Sequence, residues 1–335
     1  DKQSGQLTHN DLTISLSDEK ALTMEQGLAD TLDSSSAVHS WGAFYTKSTT
    51  LYNEEGGSAD VSIVGAEDDA RMTEYFTFRT RVGHDPIPFE EDSVILTEKT
   101  ALNLGLSVGD TFYVEAADGS RVPLVLTGIT ENYMFTRLYL SNAQLQALLG
   151  STPEWNTVYG LTGCTTEAEY NTLRTKLLGC NYVSSVSFTE DTTSMFGSLI
   201  GSLNYVVVLI IVCAAALAAV VLYNLISVNL AERKKELATI KVLGFYDKEV
   251  YRYIFREIEL LSLIGSGVGL LLGVPLHRFI ILTVEMDQLM FIRTIAPRSY
   301  LLAVALTMLF TFVVCFAMRR HVRHISMVES MKAPE

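Results

Sequence analysis

Histidines and clustered carboxylates are side chains that often perform catalysis or bind metals, and they are sparse in this chain. His9, His39 and His84 do not have the spacing of a metal site. Two acidic runs, 67–69 and 90–92, supply the oxygen atoms that Ca²⁺ prefers. Neither run has the regular ligand spacing and turn glycine of a calcium loop. We interpret both runs as solvated surface, and we predict no catalytic residue and no metal site.

The sequence contains no phosphate-binding loop, and it leaves the state of two cysteines open. The pattern GxxxxGK[ST], which cradles nucleotide phosphates, does not occur in the sequence. Cys164 and Cys180 are the only cysteines before residue 192, and both a disulfide and two free thiols remain open for them. Cys213 and Cys315 lie in long apolar runs, where cysteine packs as a small hydrophobic residue.

Charge is divided unevenly along the 335 residues. Residues 1–191 contain 11 Lys and Arg against 28 Asp and Glu, whereas residues 192–335 contain 14 against 10. The net charge of −13 argues against a general nucleic-acid-binding protein, which needs a basic face for phosphates. The acidic part is typical of a water-exposed domain, and the remainder needs a separate explanation.

That remainder contains three long uncharged runs: Val206–Tyr223, Leu260–His277 and Ser299–Met318. Eighteen helical residues extend about 27 Å, close to the roughly 30 Å hydrocarbon core of a bilayer. We therefore predict an all-α membrane domain over residues 192–335. Its three transmembrane helices cover about 199–226, 258–281 and 299–318.

Lysine and arginine set the predicted orientation. Seven of them lie in the segment 227–257, four follow the third uncharged run, and three lie between the second and third uncharged runs. Because basic connections stay in the cytoplasm, segment 227–257 is predicted to be cytoplasmic and residues 1–191 to lie outside. No signal peptide begins at Asp1, so we expect the chain to be a piece of a longer protein.

The acidic part shows mixed helix and strand patterns. It is predicted to be an extracytoplasmic α+β domain over 1–191, built as one or two small subdomains. Predicted strands cover 11–17, 38–52, 59–65, 93–97, 110–116, 121–130, 156–161 and 182–188. Predicted helices cover 22–32, about 98–104, 142–149 and 166–178.

The connection after the first span carries the most distinctive motif, AERKKELATIKVLGF over residues 231–245. It resembles the C-terminal permease domain of FtsX/MacB-type ABC transporters, whose common form is ER-x-x-E-[IL]-x-x-[IL]-[KR]-x-L-G. The acidic part is also similar to the outer domains of this family, through ILTEKTALNLGLSVGDTFYV and GITENYMFTRLYLS. The glycine-rich second span fits as well.

The resemblance implies a permease without an ATPase of its own and without a cofactor in this chain. ATP and Mg would be bound by a separate ABC ATP-binding subunit. A coupling helix would sit in a groove of that subunit. Its residues would be Arg233, Lys234, Glu236, Leu237, Ile240, Lys241, Leu243 and Gly244.

Glycines at four-residue spacing form one face of the second span: Gly265, Gly269 and Gly273. Such a face lets helices approach closely. Two interpretations stay open, namely packing within the same unit and contact with a second permease unit. That second unit would be a homodimer partner or the other half of a longer chain.

The function implied by the resemblance is a multi-pass permease of the bacterial cell membrane. It would perform mechanotransmission or export a peptide, a drug or a lipoprotein. An extracytoplasmic peptide, lipoprotein or hydrolase would be its outer partner, and no nucleic acid is expected. The alternative is a membrane-anchored receptor or scaffold without an ATPase. An enzyme with an outside active site is a third interpretation, and no Ser/His/Asp, Cys/His or metal set supports it.

Overall fold

A computed structural model describes residues 7–22, 27–116, 119–233, 236, 239–240, 243–284 and 295–323. They divide into two compact units, which meet in the sequence between Ser198 and Leu199. We name the first the sheet domain and the second the helix domain, and describe each by itself. The predicted fold class, an α+β domain followed by three apolar helices, is confirmed.

The sheet domain is built on one mixed β-sheet, in which the described residues form ten strands. The strands are β1 (Leu12–Leu16), β2 (Val38–Tyr52), β3 (Ser58–Ala66), β4 (Val94–Thr97), β5 (Thr111–Glu115), β6 (Arg121–Val125), β7 (Gly128–Thr130), β8 (Arg137–Leu140), β9 (Thr157–Thr162) and β10 (Val183–Phe188). Their order is β10-β1-β9-β2-β3-β8-β4-β7, and β5 pairs with β2 and β6. The β3–β8 and β4–β7 pairs are parallel, and the other pairs are antiparallel.

Short helices connect the strands. They are α1 (Leu28–Asp33), α2 (Asp69–Tyr75), α3 (Glu98–Leu104), α4 (Asn142–Leu149) and α5 (Glu167–Leu178). The start of α5 is a capping box, in which the Thr166 side chain accepts from the Glu169 N–H and the Glu169 carboxylate accepts from the Thr166 N–H. Helix α3 ends at Gly105, whose φ of +66° is a conformation that glycine adopts without strain.

Two mainly aliphatic clusters lie between the sheet and these helices. Leu12 and Ile14 of β1 pack with Leu173 and Leu177 of α5. The other cluster joins β3, β4, β5 and β8 to α3 and α4. A third, aromatic cluster contains Phe44, Tyr75, Phe76, Phe78, Tyr139 and Tyr159. Alternate residues of the strands therefore carry the helix-facing core.

Some sequence-based predictions for this domain need correction. The acidic run at 67–69 was predicted only as solvated surface, but it also starts a helix. The Asp68 side chain accepts from the Ala70 N–H and caps α2. Asp69 accepts from the Asn142 N–H at 2.8 Å, and partial burial raises the pKa of its carboxyl. The helix predicted over 22–32 begins only at Leu28, after a 3₁₀ turn at Glu19–Leu22.

The two cysteines of the sheet domain are free thiols in the structure, and a Cys164–Cys180 disulfide is not formed. Both belong to the same apolar cluster, but Cys164 is buried, with 8% of its surface exposed, whereas Cys180 is half-buried. Burial raises the pKa of the Cys164 thiol, which lowers its thiolate fraction at neutral pH.

We expect iodoacetamide to alkylate Cys180 at least tenfold faster than Cys164 in the native full-length chain, because Cys180 is more accessible and because burial raises the pKa of the Cys164 thiol. Peptide mass spectrometry after timed quenching measures the two rates. Alkylation in denaturant, where the two thiols should react alike, is the control. Equal native rates, or protection of both thiols until a reductant is added, would contradict this prediction.

The helix domain is formed by α6 (Thr189–Glu232), α7 (Asp247–Val284) and α8 (Pro297–Arg323), and the first residues of α6 belong to the sheet domain. The segments long and apolar enough to cross a membrane are Asn204–Asn229, Phe255–Thr283 and Pro297–Ala317. Each side chain from Val206 to Val212 is at least a third exposed. A continuous exposed apolar surface of this kind indicates contact with lipid or with other helices.

Candidate functional site

The most informative site is the turn between α6 and α7, which contains the residues predicted to contact an ATPase. Helix α6 ends at Glu232, and the Arg233 guanidinium then donates to both oxygens of Glu257 in α7, at 2.9 and 3.2 Å. Both side chains are partly exposed, so this bidentate pair fixes geometry more than it adds stability. It ties the end of one helix to the body of the next.

Gly244 lies shortly after the described helical residues Thr239 and Ile240. The Leu243 N–H donates to the Thr239 carbonyl at 3.0 Å, and the Phe245 N–H reaches the Ile240 carbonyl at 3.4 Å. Gly244 lies between them with φ +92°, the left-handed conformation of a helix C-terminal cap. The observed conformation explains why a glycine occupies this position.

Glu249 stabilises the start of α7. Asp247 is the first helical residue, and the Glu249 carboxylate accepts from the backbone N–H of Tyr246 at 3.0 Å. The Tyr246 carbonyl in turn accepts from the Glu249 N–H. Glu249 therefore closes the turn, and this reciprocal contact holds Tyr246 at the corner.

Ile240 lies in an environment that the helical spacing did not reveal. It is partly buried against a cluster formed by Ile226, Val250, Ile258 and Cys315, which come from all three long helices. Its side chain thus packs against its own chain. The sequence predicted instead that the Ile240 side chain contacts a groove of the ATPase subunit.

Leu243, Phe245 and Tyr246 form what we call the corner patch, with exposures of 71%, 52% and 78%. Only Leu243 was predicted from the sequence. Two aromatic residues directly after a helix-ending glycine, within a basic connection, were the available signal. Among the other predicted residues, Arg233 is half-buried and Glu236 is exposed, while Lys234, Leu237 and Lys241 lie outside the described residues.

The glycines of the second span border open space. Gly265, Gly269 and Gly273 line a cavity of about 630 Å³ together with residues of α6 and α8. A methyl group added at any of the three would meet no atom within 4 Å. Close packing of another described helix onto these glycines therefore does not occur, and the cavity has room for further side chains.

No three His, Cys, Asp or Glu side chains lie close enough to bind a metal ion among the residues that the structure describes. The corner patch presents one leucine and two aromatic side chains to the surroundings of the described chain.

One protein-family model matches part of the chain. The model of the FtsX-like permease C-terminal domain matches residues 208–327, which identifies this segment as an FtsX-like permease domain and confirms the resemblance seen in the sequence. No curated protein matches the chain.

Two solved structures are similar to part of the chain. The periplasmic region of MacB from Actinobacillus actinomycetemcomitans is 12% identical with a TM-score of 0.35, covering 57% of this chain and 94% of that one. The extracellular domain of the ABC-type transporter YknZ from Gram-positive bacteria is 14% identical with a TM-score of 0.32, covering 54% and 100%.

Proposed function

We propose that this chain is the permease subunit of an ABC transporter, coupled to a separate cytoplasmic subunit that binds ATP and Mg. The family match over residues 208–327 is the observation that carries the proposal. The permease would perform mechanotransmission or export a peptide, a drug or a lipoprotein. In this role the chain is not itself an enzyme.

The corner patch is the proposed contact with the ATPase. Exposed leucine and aromatic side chains are the residues that anchor protein interfaces when they fill pockets of a partner. The charged side chains of Arg233 and Glu236, close by in the sequence, would restrict the orientation at the rim. Ile240 and the internal cluster would act behind the patch, by holding the turn against the helices.

Helix α6, which leads to the corner patch, follows directly in the chain from the last strand of the sheet domain. Strand β10 ends at Phe188 and α6 begins at Thr189, so no linker separates them in the sequence. A displacement of α6 by the ATPase would thereby act on the last strand of the sheet domain. The proposed place of action is the bacterial cell membrane, with the sheet domain outside, because Lys and Arg concentrate in segment 227–257.

A second permease unit is the proposed partner within the membrane. The open cavity beside Gly265, Gly269 and Gly273 would accept side chains of that unit, which is a second copy or the other half of a longer chain. Packing of small residues against a neighbouring helix is a common basis of association in lipid.

The test is capture of the candidate ATPase by the full-length chain in detergent. Leu243→Asp combined with Tyr246→Asp places two charges in the corner patch, and we expect at least a tenfold loss of captured ATPase. Leu102→Asp is the matched control, because Leu102 is 55% exposed in the sheet domain, far from this turn in the sequence. Ile240→Asp is unsuitable, because it would place a charge in the internal cluster.

Capture by the wild type and by Leu102→Asp, with loss in the double variant, would support both the permease function and the docking site. Equal capture by all three would reject the corner patch. No capture by a well-folded wild-type chain would favour the alternative, a membrane-anchored receptor or scaffold without an ATPase.

A further inference from the structure

The two faces of the sheet differ around β1: one carries the helix-facing core, and the other carries hydroxyl groups. In β1, Leu12 and Ile14 point to the core, and Thr13 and Ser15 line a cavity on the other face. Thr46 of β2 and Ser62 of β3 line the same cavity. Its volume is about 310 Å³, enough for a small organic ligand or several waters.

Arg137 gives this cavity a positive charge. It is the first residue of β8, directly opposite Ser62 of β3. Its guanidinium lies over the rings of Phe76 and Phe135, with its central carbon 5.5 and 5.8 Å from their centroids. These contacts fix the plane of the guanidinium, which also hydrogen-bonds to the Tyr139 side chain.

The guanidinium is incompletely satisfied. The Nη1 atom of Arg137 is buried and has no hydrogen-bond partner, and the same is true of Oδ1 of Asn10, another residue that lines the cavity. Buried polar atoms without partners are uncommon in folded proteins, and a bound ligand or ion is one reason for them. Here one donor and one acceptor of this kind occur at the same cavity.

The electrostatic setting is unusual for an acidic domain. Residues 1–191 carry 28 acidic against 11 basic side chains, yet no Asp or Glu is among the described residues that line the cavity. Within the described part of the chain, Arg137 forms no ion pair, whereas Arg79, Arg81 and Arg174 each have a carboxylate partner. A cation kept apart from carboxylates is available to an anion from outside.

We propose that this cavity is a binding site for a small oxyanion, a carboxylate or phosphate group that Arg137 recognises and the surrounding hydroxyls orient. The guanidinium fork would donate to two oxygens of the anion. Asn10, Thr13, Thr46 and Ser62 would contact the polar remainder of the ligand. This site does not depend on the proposed ABC permease function.

The test uses the full-length chain in phosphatidylcholine nanodiscs, which contribute no net lipid charge. Ligand-observed NMR titrations measure inorganic phosphate by ³¹P and succinate by ¹H, and succinamide is the neutral control. We expect Arg137→Gln to weaken binding of the preferred oxyanion at least tenfold, the range for a lost charge-assisted contact. Succinamide should not bind measurably.

Two further variants separate the site from general charge. Arg121→Gln removes the same charge from an exposed arginine that stacks on Tyr52, and it should bind like the wild type. Ser62→Phe keeps Arg137 but fills the cavity beside it, and it should abolish binding. Fluorescence of Trp41 and Trp155 checks folding, and Ser62→Phe alone decides the result if Arg137→Gln does not fold.

Preference for phosphate would identify a tetrahedral ligand and preference for succinate a carboxylate, and either supports the proposal. Failure of both oxyanions to bind the wild type would overturn it and leave a water-filled cavity. Equal binding to Arg137→Gln, or wild-type binding to Ser62→Phe, would also overturn it by placing the anion elsewhere.

Discussion

Glu131→Gln is expected to lower the free energy of unfolding of the sheet domain by about 3 kcal/mol, roughly two orders of magnitude in the unfolding equilibrium. The Glu131 side chain is fully buried and accepts from Arg79 Nε at 2.8 Å and from the Tyr133 hydroxyl. His84 Nδ1 lies 3.4 Å from the same carboxylate. Replacing the charge removes the carboxylate that Arg79 contacts at this partly buried position, and loss of one member of such a pair is costly.

The effect should depend on pH in a defined direction. Burial alone raises the pKa of Glu131, but hydrogen bonds from Tyr133 and Arg79 outweigh it and hold the pKa below its usual value. A lowered pKa contributes stability above the unfolded pKa of about 4.3 and loses it as the pH falls through the folded value. The difference between wild type and Glu131→Gln should therefore be largest at neutral pH and shrink below about pH 4. Burial, together with the hydrogen bond to Glu131, raises the pKa of Tyr133 to about 12, so the tyrosine remains a donor throughout this range.

Thermal or urea unfolding of the full-length chain measures this prediction. Both tryptophans, Trp41 and Trp155, belong to the sheet domain, so their fluorescence reports this domain selectively. Glu74→Gln is the matched control: the same substitution at the exposed Arg71–Glu74 pair should change stability by no more than about 0.5 kcal/mol. Equal effects of the two substitutions would contradict the structural role of Glu131.

Gly269→Leu is expected to weaken association of two copies of the chain at least tenfold. A Cβ at this position meets no atom within 4 Å, and the adjoining cavity measures about 630 Å³, so we expect the leucine to fit without disturbing the fold of the helix domain. The side chain would, however, occupy the cavity that we assign to a second permease unit. Folding and assembly are thereby separated in one variant.

Co-purification of two differently tagged full-length copies measures this association. Gly267→Leu is the matched control, because Gly267 is in the same helix and equally unobstructed but does not line the cavity. Unchanged assembly of Gly269→Leu would reject this face as the interface. Absence of any association between wild-type copies would exclude a second copy as the occupant.

Local signals in the sequence were sufficient for many elements of the fold. Strand β2 has the predicted bounds, Val38–Tyr52, because its pattern runs without interruption to the turn at Gly56 and Gly57. Helix α4 also has its predicted bounds, since Ser141 caps its start and Gly150, with φ +65°, ends it. Elements with a clear start and stop are read correctly from the chain alone.

Other elements depend on distant partners. Strand β8 has only four residues, RLYL, and it was not predicted from the sequence. These residues form a strand because they pair with β3 on one side and β4 on the other, and RLYL alone does not reveal that pairing. The strand order was equally inaccessible, since β1 lies between β9 and β10. No local pattern encodes such pairings.

The candidate sites show the same limit. Helical spacing gave Ile240 and Leu243 the same predicted role, but Ile240 is partly buried against the cluster that contains Ile226 and Val250, whereas Leu243 is exposed. The sequence does not predict a role for Arg137, because a single arginine in an acidic domain is ordinary. Only the sheet register, which places it beside Ser62 and among aromatic rings, shows that it lies at a cavity.

The pairing of the first strand with the last has a consequence for biogenesis. Leu12 lies opposite Phe188, and the Thr189 N–H donates to the Asp11 carbonyl at 2.9 Å. During synthesis both edges of β1 therefore stay unpaired until its partner strands, β9 and β10, have been made. Contacts of such long sequence separation slow folding, and an unpaired strand edge is open to wrong partners in the meantime. A chain interrupted before residue 157 would keep that edge exposed, and it should be the form most prone to aggregation and degradation.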